Sequence, residues 1–234
     1  MQGREIVVTG GGGGLGEAVV RRLAREGARL VLPVRSEARA ASTDEALGGL
    51  GRVLAGIDAT DEKAVDSLFA EYGEERPLWA SIHLVGGFRW AELGDAPASV
   101  FDAMFQVNAR SCYLASRAAA AAMRRGGGGG RIVNVTARPG LRPSAGASMV
   151  AYTGAKAAVA AMTVAMSEEL AADDIWVNAV APSIMDTPRN RRDMPDADHD
   201  SWPKPEDVAE TIAFLASPAN RSTRGGLVPV YAKA

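Results

Sequence analysis

The chain has 234 residues, 47% of them hydrophobic and 23% charged, enough to bury one sizeable core. Its 26 basic and 28 acidic residues leave a formal net charge of -2, so charge gives no pull toward nucleic acid or an anionic membrane, and a small-molecule partner is expected. Cys112 is the only cysteine, which excludes an intrachain disulfide and a multi-cysteine metal site. The chain opens straight into an apolar run with no signal-peptide pattern, and no apolar stretch is long enough to span a bilayer; a cytoplasmic protein is therefore expected.

The first run, EIVVT at 5–9, reads as a strand and feeds a glycine turn, TGGGGGLG at 9–16, followed by a helix-like segment at 14–27. Further strand-like runs lie at 29–34, 52–57, 79–85, 131–136, 175–181 and 227–232. Helical periodicity marks 61–73, a long 98–125, 149–171 and 204–217, and the glycine run at 126–130 reads as a loop between a helix and a strand. Most of the strands are apolar throughout instead of alternating, so both faces should be covered. The order predicts an α/β protein: a single doubly wound Rossmann-type domain, with a seven-stranded, mainly parallel sheet between two helical layers. A segment at about 183–205 is expected to cover the substrate.

In such a sheet a dinucleotide lies at the carboxyl ends of the strands. Gly10, Gly14 and Gly16 let the backbone turn tightly and approach a pyrophosphate at a helix N-terminus. A carboxylate after the second strand would meet a ribose 2′-hydroxyl; this chain has Val34 there, followed by Arg35 and Ser36, which points to a 2′-phosphate and to NADP(H) over NAD(H). Asp58, after the third strand, is placed to accept from an adenine amino group or to start a helix. Tyr152 and Lys156 stand four apart on one predicted helix. An ammonium beside a phenol should lower the phenol's pKa from about 10 and make it a proton-transfer group.

With these residues in place, the chain resembles the short-chain dehydrogenase/reductase family over essentially its full length. The matching stretches are TGGGGGLG, LVGG at 84–87, VNAR at 107–110, RIVNV, YTGAK for the family's YxxxK, and PSIMDT at 182–187. The resemblance implies Tyr152 as general acid/base, Lys156 as its electrostatic partner and Asn108 as the residue that holds a water in a proton relay. It also implies cofactor contacts at Leu15, Ala59, Val85, Gly86, Gly87, Pro182, Ile184 and Thr187, and a homodimer or homotetramer joined through the alanine-rich helices.

One departure matters. The family's serine, which donates to the substrate oxygen, falls on Pro139 when counted back from Tyr152 and on Ala137 when aligned by the strand; neither side chain donates. Thr136, Ser144 and Ser148 are the nearby hydroxyls. A branch that lacks the serine, dihydropteridine reductase, is similar at 186–202 and in the long spacing before Tyr152, although it favours an acid where Val34 stands. The expected activity is thus hydride transfer between nicotinamide and a carbonyl, alcohol or conjugated imine, with pterin reduction as one alternative and a non-catalytic NADP(H) sensor as another. His83, in an apolar strand, reads as a core residue and His199, in an acidic loop, as solvated; no metal site is expected.

Overall fold

A computed structural model describes all residues from Met1 to Ala234. Seven strands form its centre: β1 (Glu5–Thr9), β2 (Arg29–Pro33), β3 (Arg52–Leu54), β4 (Leu78–His83), β5 (Gly130–Val135), β6 (Ile175–Pro182) and β7 (Leu227–Val230). Their order across the sheet is β3-β2-β1-β4-β5-β6-β7, and every pair is parallel. The sheet is therefore wholly, not mainly, parallel. The continuous apolar runs follow from this: Ile6 and Val8 point into one layer and Val7 into the other, all fully buried.

On one face lie α1 (Gly14–Ala24) and α9 (Pro205–Ala216), packing Val19, Val20, Leu23, Val208 and Ile212 on the sheet. On the other lie α3 (Glu62–Ala70), α5 (Ser111–Arg125) and α7 (Val150–Glu169). Here Leu68, Phe69 and Leu114 fill the space under β1 and β2, and a run of alanines lets α5 approach closely. α2 (Glu37–Leu47) was not among the helices expected from periodicity. Only Thr43 and Leu47 of it are buried, so its apolar stripe is too thin to read; it is set by its ends, a Ser36 cap and a left-handed Gly48.

The expected helix at 98–125 is broken in one place. α4 (Ala98–Met104) passes through a π-helical turn, Phe105–Arg110, before α5 begins. Four short helical pieces occupy the segments that follow β5 and β6: α6 (Arg138–Leu141), a 3-10 turn at Pro143–Gly146, α8 (Pro188–Asp193) and a 3-10 turn at His199–Ser201. No helix is long and apolar enough to cross a membrane.

Candidate active site

The chain runs outward from β1 to β3 and then returns to β4 on the other side of β1, which makes the β1/β4 boundary a topological switch point. A cleft of ≈ 470 Å³ opens there. Gly10 lines it, Gly14 and Gly16 lie in the first turn of α1 beside it, and the three do different things. Gly10 has φ 75°, and a Cβ on it would sit 2.8 Å from the Val85 nitrogen, so it lets the two strand ends close on each other. A Cβ on Gly16 would run into the Gly10 carbonyl oxygen, so Gly16 seats α1 on the turn. A Cβ on Gly14 would meet only the Thr187 methyl, at 3.6 Å, leaving the backbone open to a ligand. Leu15 is a buried core residue and does not line the cleft. Gly13 caps α1 without a side chain, so the first N–H groups of the helix have no side-chain acceptor, the arrangement that receives a pyrophosphate. The residues present thus fit a dinucleotide.

Val34, Arg35, Asp58 and Ala59 line the same cleft, as do Val85 and Gly86. Ser36 does not. Its hydroxyl accepts from the Arg39 N–H and caps α2. The helix it starts brings a second arginine into the cleft: Arg39 donates to the Gly12 carbonyl at 2.9 Å. Arg39 went unread because α2 was. Asp58 accepts from both the N–H and the hydroxyl of Thr60, each at 2.8 Å and each on Oδ1, leaving Oδ2 without a protein partner. The Thr60 N–H, with its hydroxyl and the Arg35 charge, holds the Asp58 carboxyl below its usual range.

Tyr152 and Lys156 lie on α7 as expected, with the Lys156 ammonium 5.9 Å from the phenol ring centre. The expected effect on the phenol is reversed. Tyr152 is pushed up to about 12, and burial is the cause; Phe88 closes over it edge-on at 5.1 Å. Lys156 is fully buried, which pushes it down to about 8, and it donates to the Val135 carbonyl at 2.9 Å, not to the phenol. Removing water around the pair outweighs the attraction between them. At neutral pH Tyr152 therefore carries its proton, and Lys156 is predominantly charged.

Asn108 sits in the π-helical turn, and its side chain makes three hydrogen bonds. Its amide donates to the Met104 carbonyl at 2.9 Å and to the Gly87 carbonyl at 3.0 Å, and its oxygen accepts from the Gly87 N–H at 3.2 Å. The widened turn brings this side chain across to the loop after β4. A Cβ at Gly86 would lie 2.9 Å from the Asn108 oxygen and 3.4 Å from the Lys156 nitrogen, so the cleft and the Tyr152–Lys156 pair meet at Gly86. What the side chain of Asn108 does here is fix that loop.

Of the hydroxyls near the missing serine, Thr136 is buried and donates to the Lys156 carbonyl oxygen, ruling it out as the substrate donor in this arrangement. Ser144 is exposed, and Ser148, at φ 58°, ties the Phe88 loop to α7 by accepting from the Ala91 N–H. Pro182 ends β6, Ile184 is half-exposed, and Thr187 caps α8 by accepting from the Asn190 N–H while its methyl faces Gly14. His83 is a core residue, as expected. His199 is only partly solvated: it is half-buried, hydrogen-bonded to the Met194 carbonyl at 2.8 Å and packed on Trp202. No cluster of metal-ligating side chains occurs. The Cys112 thiol is buried and pushed up to about 12, so it is inert.

Comparison with known proteins agrees with this architecture. The family described as short chain dehydrogenase matches residues 4–198. The chain is 32% identical to 4-formylbenzenesulfonate dehydrogenase of Comamonas testosteroni, over 90% of this chain and 89% of that one. It is also 32% identical to 3beta-hydroxysteroid dehydrogenase of Mediterraneibacter gnavus, over 95% and 91%. A crystal structure of a short chain dehydrogenase from Mycobacterium smegmatis superposes with a TM-score of 0.85 at 33% identity, covering 100% of this chain and 93% of that one. With its glycine turn at the switch point and its Tyr152–Lys156 pair on α7, the chain belongs to the short chain dehydrogenase family of oxidoreductases.

Proposed function

We propose that the protein is an NADP(H)-preferring reductase in which Tyr152 donates a proton to a carbonyl or imine while its carbon receives hydride. The observation that carries this reading is the Tyr152–Lys156 pair on α7, which meets the dinucleotide cleft at Gly86. When bound, the cofactor would supply the hydride. Gly10, Gly14, Gly16 and the α1 N-terminus would hold its pyrophosphate, Thr187 would lie against it, and Asp58 would accept from the adenine amino group. Lys156 would hold the nicotinamide ribose and keep a positive charge near the phenolate left after proton transfer. Asn108 would hold the Gly86–Gly87 loop against the cofactor, and its carboxamide has at most one lone pair left for a relay water.

The preference for NADP(H) rests on Arg35 and Arg39 in the cleft and on Val34 where a carboxylate would repel a 2′-phosphate. The test is steady-state oxidation of NADPH and NADH against a panel of aldehydes, ketones and quinonoid dihydropterin. Wild type should favour NADPH, and Arg35→Asp should cost about tenfold or more in kcat/KM for NADPH while leaving NADH the better donor. Equal use of both cofactors by wild type would remove this preference from the account.

One observation favours a narrower reading. Ala137 offers no hydroxyl and that of Thr136 is spent on Lys156, as suits a pterin ring that develops little oxygen charge. Turnover of the dihydropterin with little on simple carbonyls would establish it.

Exposed Phe101, Tyr113, Val150 and Val164 lie on α4, α5 and α7, and a second copy of the chain would cover them. Light scattering should then give a mass of at least twice the 24.4 kDa chain; a monomer at assay concentration would exclude this.

A further inference from the structure

We propose that Arg138 and Arg142 form an anion-binding subsite beside the active site, so that the substrate carries a carboxylate, sulfonate or phosphate group. The inference deepens the reductase reading and rests on it for the identity of the neighbouring site.

Arg138 directly follows Ala137, the position where the family's oxygen-holding serine is missing. Around it the chain is tied to the catalytic helix: Thr136 donates to the Lys156 carbonyl, and a Cβ on Gly140 would lie 2.8 Å from the Lys156 carbonyl carbon. The two guanidinium groups converge on one ring, 5.5 Å and 5.6 Å from the centre of Tyr231. Tyr231 in turn accepts at its carbonyl from the Ser183 hydroxyl, at the start of the covering segment. The arginine pair thus lies between α7 and the segment expected to close over the substrate.

Two guanidinium charges thus stand at one ring, and the protein supplies an acceptor to neither. Neither side chain makes a hydrogen bond or an ion pair, and Arg138 Nε is buried without a partner. Arg131 Nε is buried and unpaired as well, but the other two nitrogens of Arg131 donate to the Gly130 and Asn220 carbonyls, whereas those of Arg138 have no protein acceptor. Arg117 likewise has Glu62 and Asp66. Arg138 and Arg142 have only the ring, which orients guanidinium groups but accepts no conventional hydrogen bond. A carboxylate, sulfonate or phosphate is the acceptor that suits such guanidinium forks.

The test uses the full chain, with and without NADP⁺, titrated calorimetrically with benzoate, benzenesulfonate, phenyl phosphate and neutral methyl benzoate. In parallel, kcat/KM with NADPH is compared for 4-carboxybenzaldehyde and methyl 4-formylbenzoate. At least one anion should bind about tenfold or more tightly than the ester, and Arg138→Gln should bring that ratio close to one. Arg142→Gln, at an exposed position, should lower the ratio too and keeps the test open if Arg138→Gln does not fold; Arg138→Lys should retain part of it. The anion that loses most in the variants names the substrate's charged group. Equal binding of anions and ester by wild type, or a preference that survives in both glutamine variants, would overturn the subsite. An anion preference lost in the variants, with no turnover of either aldehyde, would support the subsite and count against the reductase reading alone.

Discussion

Tyr152→Phe is expected to lower kcat by about 100- to 10,000-fold while NADPH still binds. The phenol is half-buried beneath the edge of Phe88, and desolvation pushes it up to about 12, so wild type presents a proton and not a phenolate at neutral pH. Phenylalanine fills nearly the same volume and removes only the hydroxyl, so packing around Phe88 and the cleft at Gly86 should persist. Binding measured by NADPH fluorescence and turnover measured by NADPH oxidation should therefore separate. Loss of both together would mean that Tyr152 is a structural residue, and an unchanged kcat would mean that another group delivers the proton. A wild type that binds NADPH and reduces nothing would favour a cofactor sensor.

The second large effect is on stability. His83 is fully buried in β4 with a pKa lowered from 6.5 to about 4 by desolvation. Its hydrogen bonds fix its form: Asn134 gives its amide to Thr163, so its oxygen accepts from His83 Nδ1–H, and Nε2 accepts from the Ser81 hydroxyl. The folded state thus needs a neutral ring, whereas the unfolded chain takes up a proton below about 6.5. The unfolded state binds more protons between those values, so stability is full above about pH 6.5 and is lost as pH falls through about 4. A shift of this size corresponds to about 3 kcal/mol. Urea unfolding at a series of pH values should show that loss in wild type. In His83→Gln, stability should already be lower at neutral pH by about 1–3 kcal/mol, because the network loses a partner, but the curve should be flatter by the histidine's share. Parallel curves for the two proteins would show that His83 does not titrate with unfolding.

What could be read from sequence followed from strong, local signals. Seven apolar runs became seven strands because a parallel sheet buried on both faces demands them, and the glycine turn was legible because Gly10 and Gly16 permit no Cβ where they stand. Tyr152 and Lys156 were paired by helical spacing alone. Their electrostatics were not legible, because burial of the phenol depends on Phe88, from a loop 64 positions earlier in the chain. The same holds for α2, whose polar sequence hides Arg39 until its contact with the Gly12 carbonyl is seen. Thr136 looked like a spare donor because its acceptor, the Lys156 carbonyl, is 20 residues away. His199 looked solvated because its acidic neighbours do not reveal the Met194 carbonyl and Trp202 ring against which it folds.

The most direct test of the account is label transfer. NADPH deuterated at C4 of the dihydronicotinamide, once for each face, would be mixed with the protein and the best aldehyde or pterin substrate, and the product examined by mass spectrometry. The account predicts that label from one face appears on the substrate carbon with wild type and at a rate lower by about 100-fold or more with Tyr152→Phe. Product that forms without label from either face, or NADPH that binds and is never consumed by any substrate, would contradict it.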